Sequence, residues 1–104
     1  MLKINFEFRK GIFFIRFLGV MNEKNYGLKK DEIKDLLLNN KFKYIVINTN
    51  YIKKIDLNGL NYIIDICYLM QENESNLIIC DKTNLLQKLT NNRIPNIKDE
   101  LEVL

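Results

Sequence analysis

The segment Asp56-Leu57-Asn58-Gly59 combines polar side chains with a glycine at a place where the hydrophobic pattern changes. It follows a continuous apolar run at residues 44–47 and precedes an amphipathic stretch that reaches Met70. An aspartate at a helix start accepts hydrogen bonds from the unpaired amides of the first turn, and a glycine supplies backbone freedom or close approach. Such amides also attract anions. The segment is therefore predicted to be a capped helix start that is available to a ligand or a partner.

Other residue types that carry out chemistry are scarce. The chain has no histidine and two cysteines, Cys67 and Cys80, which fall on the predicted core face of a helix and at the end of a predicted strand. No CxxC spacing supports a disulfide or a metal site, and a thiol nucleophile would lack an imidazole base. A glycine-rich phosphate loop and a serine nucleophile elbow are also absent from the sequence. We expect buried thiols, no enzyme activity and no cofactor.

The central part of the chain is predicted to be a strand-helix-strand unit. The run at residues 44–47 is apolar throughout, which is typical of a strand in a parallel sheet with helices on both faces. Residues 77–80 form a second apolar run, so the two strands are expected to be parallel with a right-handed crossover. The helix between them carries one apolar stripe, made of Leu60, Ile63, Ile64, Cys67 and Met70.

The N-terminal third is predicted to be a hairpin followed by a helix. Residues 2–8 alternate apolar and polar side chains, which indicates a half-exposed edge strand, and residues 12–18 form a more buried second strand. Residues 26–38 fit a helix whose inner stripe consists of Tyr26, Ile33, Leu36 and Leu37.

A short helix is predicted after the second parallel strand. Asp81 or Thr83 is expected to cap it, because both side chains accept hydrogen bonds from backbone amides. Its apolar residues are Leu85, Leu86 and Leu89.

The C-terminal segment is predicted to add one edge strand and a helical tail. Pro95 favours extended backbone, so residues 94–97 are expected to form the strand. Residues 98–104 have helical character, with Leu101 and Leu104 expected to face inward.

Length and charge limit the classes of function. A chain of 104 residues and 12.4 kDa has room for one domain, residues 1–104. Its net charge of +3 comes from 16 cationic and 13 anionic residues without a basic block, so we expect no nucleic acid partner. No apolar run is long enough to span a bilayer and the start lacks a signal-peptide core, so no membrane contact and a cytoplasmic location are expected.

The order of these elements resembles a STAS domain of the anti-sigma factor antagonist type. Three sequences carry the resemblance: FIRFLG at residues 14–19, YIVIN at 44–48 followed by IDLNGL at 55–60, and NLIIC at 76–80. The second of these is similar to the family's strand and its Asp-Ser-Ser-Gly-Leu loop. The resemblance implies an α/β fold of the SpoIIAA-like type, in which a mixed central β-sheet of four to five strands has helices packed on it.

The resemblance also implies a function. Similar proteins bind an ATP-dependent anti-sigma kinase and displace a sigma factor, until that kinase phosphorylates a serine in the loop. Here Leu57 replaces the first loop serine and Asn58 stands at the position of the phosphorylated one. Asn58 cannot take a phosphate, and its amide is neutral and both donates and accepts hydrogen bonds, as a serine does. The chain is thus expected to act as a permanently unphosphorylated antagonist, or else Asn58 only helps to cap the helix.

The partner face is predicted from the helix that follows the loop. Polar residues there lie beside three residues that flank the polar strip, Tyr62, Leu69 and Tyr68, and tyrosine is favoured at interfaces. Wide burial of this helix under its neighbours is the alternative. Asn22 matches a position where antagonists often carry an acidic residue near the kinase nucleotide. The expected partner-binding residues are Asp56, Leu57, Asn58, Gly59, Asn61, Tyr62, Asp65, Leu69 and Asn22.

Two other classes of function stay open. One is a STAS scaffold or sensor subunit of a stress-signalling or transporter-associated complex, for which self-association at micromolar concentration would be the expected sign. The other is a ligand-binding module that uses the helix start at residues 56–59. The sequence identifies neither the partner nor the sigma factor, and it leaves a homodimer open.

Overall fold

The computed structural model describes residues 2–21, 30–91 and 93–104. In this part of the chain no helix is long and apolar enough to cross a membrane. The predicted first helix begins outside the described residues, and its described part starts at Lys30. The elements are β1 (Leu2–Arg9), β2 (Ile12–Met21), α1 (Lys30–Asn39), β3 (Tyr44–Ile55), α2 (Leu57–Glu72), β4 (Asn76–Cys80), α3 (Leu85–Leu89), β5 (Asn96–Ile97) and a 3₁₀ turn (Glu100–Glu102).

The strands form one mixed sheet in the order β1-β2-β3-β4-β5. β1 and β2 are antiparallel and are joined by Lys10 and Gly11, whose φ angles of 53° and 80° are those of a tight hairpin turn. The pairs β2–β3, β3–β4 and β4–β5 are all parallel. The predicted hairpin, the edge position of β1, the strand-helix-strand unit and a last edge strand within residues 94–97 are confirmed.

All three helices contribute to the main core, which lies on one face of the sheet. Side chains from the middle of β2 and β3 meet the inner face of α2 there, and Ile33 and Leu37 of α1 and Leu86 of α3 join them. Cys67 is buried in this core and Cys80 in a smaller cluster on the opposite face, and both are free thiols. The predicted burial of the cysteines is confirmed.

Among the described residues, the C-terminal segment rather than a helix covers the opposite face of the sheet, which differs from the expectation of helices on both faces. Phe14, Val46 and Cys80 form a small buried cluster, against which Val103 and Leu104 pack. The tail contains only the short 3₁₀ turn, and Leu101 is 77% exposed instead of facing inward. Residues 45–47 of the apolar run are thus buried on both sides of the sheet, whereas Tyr44 is exposed, and the second cover is the C-terminal segment.

A polar network fastens this segment to the sheet. The Arg16 guanidinium donates from Nε and Nη2 to the two carboxylate oxygens of Glu100 at 2.8 and 2.7 Å, and Asn48 Nδ2 also donates to Glu100. Arg16 Nη1 lies 2.8 Å from both Asn5 Oδ1 and Glu7 Oε1 on β1. The hydrogen bonds from Arg16, and then the one from Asn48, hold the pKa of Glu100 below its usual value. The hydrogen bonds that Arg16 donates to Glu100 and to Glu7 raise the pKa of its guanidinium.

The central strand is longer than the apolar run that predicted it. β3 continues to Ile55, and its pairing with β2 extends to Met21, although its pairing with β4 ends at Asn48 and Cys80. The second half of β3 therefore projects beyond β4. This projecting half leads directly into the predicted helix start.

Candidate functional site

The start of α2 has the capped geometry that the sequence predicts. Asp56 has an extended backbone, and its Oδ1 accepts a hydrogen bond from the Gly59 amide at 2.8 Å. Its own amide donates to the Met21 carbonyl at 3.1 Å, which ties the helix start to the end of β2. The cap fixes the direction in which the first turn leaves the sheet.

Gly59 is required for close approach. A β-carbon at this position would lie 2.9 Å from Ile55 Cγ1 and 3.1 Å from the Met21 backbone oxygen. Since real β-carbons almost never come so close to other heavy atoms, a larger residue would push α2 away from the sheet. The glycine thus brings the first turn of α2 directly onto β2 and β3.

The two residues at the tip of this turn are presented outward. Leu57 is 72% exposed, and Asn58 is also exposed. Asn58 stands in the first turn of α2, where the positive end of the helix dipole lies. A negative charge introduced at this position would therefore change the local field strongly.

One exposed stripe continues from Asn58 along α2. Its members follow each other at spacings of three, four, three and four residues, which places them on one side of a helix. They are Asn58, Asn61, Asp65, Tyr68 and Glu72.

Tyr62 does not belong to this stripe, and the expectation that it is exposed is wrong. Only 3% of Tyr62 is accessible, because α1 packs beside α2 and covers that flank, with Ile33 and Leu37 in the same core cluster. Ile66 is buried for the same reason, whereas Leu60 and Ile64 of the predicted stripe are only partly buried. The buried side of α2 is rotated toward α1 relative to the prediction.

A surface groove runs between the two helices. It has a volume of about 230 Å³, and Leu69 and Ile66 give it an apolar base. Its edges carry two carboxylates, Asp65 and Glu72, and one amine, Lys34 of α1. The predicted residues Asp65 and Leu69 are thus brought together, and Asn58 and Asn61 lie on the same side of α2. Asn22 lies outside the described residues.

Known proteins resemble this chain in structure rather than in sequence. No family model matches the sequence, and no curated protein matches it. The structure of the anti-sigma factor antagonist SpoIIAA in its unphosphorylated form matches with a TM-score of 0.76 over 99% of this chain and 93% of that one, at 11% identity. The chain has the SpoIIAA-like fold.

Two further structures support the SpoIIAA-like fold. An anti-sigma factor antagonist from Mycobacterium paratuberculosis matches with a TM-score of 0.77 at 11% identity, over 98% of this chain and 90% of that one. A putative anti-sigma factor antagonist from Thermotoga maritima matches with a TM-score of 0.78 at 14% identity, over 96% and 90%. The resemblance that the sequence indicates is therefore confirmed at the level of the fold.

The predicted set of partner-binding residues leaves out three residues of the candidate site in this SpoIIAA-like fold. Tyr68 and Glu72 were detectable, because they continue the three-and-four spacing that starts at Asn58. Lys34 was not, since its place at the groove depends on how α1 lies against α2.

Proposed function

We propose that this chain is an anti-sigma factor antagonist-like regulatory protein. It binds a partner of the anti-sigma kinase class through residues 56–59 and the exposed stripe of α2. The observation that carries the proposal is that a SpoIIAA-like fold presents Leu57 and Asn58 outward at a capped helix start. Three structural neighbours of this fold are described as anti-sigma factor antagonists or as a putative one.

Asn58 keeps the protein in its binding form. An amide has no hydroxyl to accept a phosphoryl group, and it remains neutral at every physiological pH. A phosphoserine at a helix start would add a charge of about −1.5 to −2 within the contact surface. Because Asn58 cannot undergo that change, the partner has no means of releasing itself through this position.

The proposed contact face differs from the predicted one in two respects, because Tyr68 takes the place of Tyr62 and Asn22 lies outside the described residues. Tyr62 supports the face from below, and Tyr68, which is exposed and lines the groove, supplies the aromatic contact. Asn58 and Asn61 provide hydrogen bonds, and Leu69 gives the groove an apolar anchor point. The remaining contacts on this face are Asp56, Leu57, Gly59 and Asp65.

The test is calorimetric binding to each anti-sigma kinase encoded in the organism, with ADP and with ATP. Wild type is expected to bind tightly in both conditions, without incorporating phosphate. Asn58→Asp is expected to lose at least tenfold in affinity, since it adds a negative charge at the contact. Asn91→Asp, which makes the same change at an exposed turn after α3, serves as the matched control.

Asn58→Ser extends the test to regulation. It is expected to bind with ADP like wild type and, with ATP, to become phosphorylated and dissociate. Failure of wild type to bind any such kinase, or undiminished binding by Asn58→Asp, would overturn the proposed function.

A further inference from the structure

The projecting half of β3 has an open edge. Residues 49–55 continue beside β2 after the pairing with β4 has ended. Side chains and loops cover the beginning of this edge, because Thr49 Oγ1 donates to the Cys80 carbonyl and the Lys82 amide donates to Asn50 Oδ1. From Tyr51 onward, no hydrogen bond joins the β3 backbone to a loop or helix within the described chain. The register against β2 shifts at Lys53, which forms a bulge, so the backbone amides and carbonyls of residues 51–55 that do not pair with β2 face a side without a described strand.

An apolar cleft lies along this open edge. Its volume is about 160 Å³, and it lies between β3 and the chain that follows β4. A continuation of β4 would run through the same space. The apolar side chains that line it come in pairs from β3, α2 and α3, namely Ile52, Ile55, Leu60, Ile63, Leu85 and Leu86.

Four lysines surround the cleft, whereas the carboxylate in its lining, Asp81, is buried and accepts hydrogen bonds from the Thr83 hydroxyl and the Leu86 amide. Lys53 and Lys54 lie between the two isoleucines of β3, Lys82 follows β4, and Lys88 lies on α3 one turn after the cleft residue Leu85. All four are exposed, and none forms an ion pair with another described residue. Such a rim attracts acidic groups and disfavours basic ones.

The chemistry of the cleft favours a peptide over a nucleic acid. Single-stranded nucleic acids are held by aromatic side chains on which bases stack. The described residues that line the cleft include no aromatic side chain: six are aliphatic, the others are Thr49, Thr83 and Asp81, and Leu85 among them is 41% exposed. Aliphatic pockets next to an open strand edge are the arrangement in which extended peptides bind as an added strand.

We propose that residues 51–55 of β3 accept an extended segment of the partner as an additional strand. The segment is acidic, and one of its apolar side chains enters the cleft. Five paired residues correspond to about 16 Å of strand. This proposal rests on the proposed function, in which the partner is a protein. It adds a second contact region to that function, on the other side of the helix start.

The probe is a synthetic heptapeptide of sequence Glu-Val-Asp-Leu-Glu-Val-Glu, followed by backbone NMR. Its addition is expected to slow amide exchange at least tenfold at those residues within 51–55 whose amides face the open edge. A peptide with methyl groups on alternate backbone nitrogens cannot complete the ladder, and a peptide with lysine at the acidic positions meets like charge. Both are expected to bind at least tenfold more weakly.

Two variants test the charge and the cleft separately. Lys53→Glu and Leu85→Glu are each expected to weaken peptide binding at least fivefold, and both change exposed positions. Lys3→Glu, on the far edge strand β1, makes the same charge change away from the cleft and is expected to bind like wild type. Unchanged exchange at residues 51–55 with saturating peptide, or equal binding of the N-methylated peptide, would overturn the proposal. Binding of a single-stranded oligonucleotide in place of the peptide would do the same.

The same exchange experiment on the kinase complex separates this proposal from the proposed function. A kinase that slows exchange on α2 but not at residues 51–55 contradicts the added strand and leaves the antagonist function standing. If no kinase binds while the peptide slows exchange on β3, the antagonist function is wrong and the added strand remains.

Discussion

Glu100 is the residue through which the C-terminal segment is fastened to the sheet. Replacement by glutamine keeps its size and removes its charge. The carboxylate accepts hydrogen bonds from Arg16 Nε, Arg16 Nη2 and Asn48 Nδ2. A glutamine has one oxygen to accept with, and its NH₂ group would face a donor. Glu100→Gln therefore loses at least one charge-assisted hydrogen bond and leaves a donor opposite a donor.

The size of the effect follows from burial. The side chains of Arg16 and Glu100 are 18% and 16% exposed, so water screens the pair less than it screens a surface ion pair. Hydrogen bonds to charged groups contribute about 1.5–3 kcal/mol, and Arg16 retains Glu7 and Asn5 after the change. We expect Glu100→Gln to lower the free energy of unfolding by about 2 kcal/mol at pH 7.

The effect has a defined pH dependence. Because the pKa of Glu100 is lowered in the folded protein, its contribution to stability is present at neutral pH. It is lost as the pH falls from the ordinary glutamate pKa of about 4.3 through the lower folded pKa. The stabilities of wild type and Glu100→Gln are therefore expected to converge in acid.

The assay is urea unfolding followed by circular dichroism at pH 7, 5 and 3, since the chain has no tryptophan. Glu32→Gln, on the exposed side of α1, is the control and is expected to match wild type within about 0.5 kcal/mol. The reasoning would be refuted if the free energies of unfolding of Glu100→Gln and wild type differed by less than about 0.5 kcal/mol at pH 7. A difference at pH 3 as large as that at pH 7 would also refute it.

Two further predictions concern the helix start and the thiols. Gly59→Ala is expected to lower the free energy of unfolding in urea by about 1–3 kcal/mol, because the new methyl group would crowd Ile55 and Met21. Leu57→Ala, at an exposed position of the same turn, is the control. Equal stability of Gly59→Ala and wild type would contradict the close approach of the first turn to the sheet. Burial raises the pKa of Cys67 to about 12 and that of Cys80 to about 11, so little thiolate exists at pH 8. Both thiols are expected to react with a disulfide reagent at least tenfold more slowly in the native protein than in urea, and rapid reaction of either native thiol would show that it is not enclosed as described.

The sequence predicts most of the elements because their signals are local. Alternation identified β1, and the apolar runs identified the parallel strands at their buried parts. The sequence does not predict the extension of β3, because Asn48, Asn50 and the lysines at 53 and 54 are weak strand formers and pairing with β2 outweighs that preference. The sequence also does not predict which segment covers the second face of the sheet, because the contact of Glu100 with Arg16 joins residues that are far apart in the sequence.

In the candidate site, too, the features set by neighbouring residues were predictable and those set by packing between helices were not. The Asp56 cap and the close approach at Gly59 depend on a few neighbouring residues, and the structure has both. The exposure of Tyr62 depends on how α1 lies against α2, which a helical wheel of one helix does not contain. The predicted apolar stripe begins at Leu60, whereas the observed packing against α1 places Tyr62 and Ile66 inside.

The order of the strands in the sheet is also their order in the sequence. During synthesis on the ribosome, each new strand therefore finds its neighbour already made, and no strand must be inserted between two that have paired. The hairpin of β1 and β2 closes over a two-residue turn, so it can form first and serve as the template for β3. Growth of the sheet in one direction therefore leaves one advancing edge unpaired at each stage of translation, in addition to the outer edge of β1.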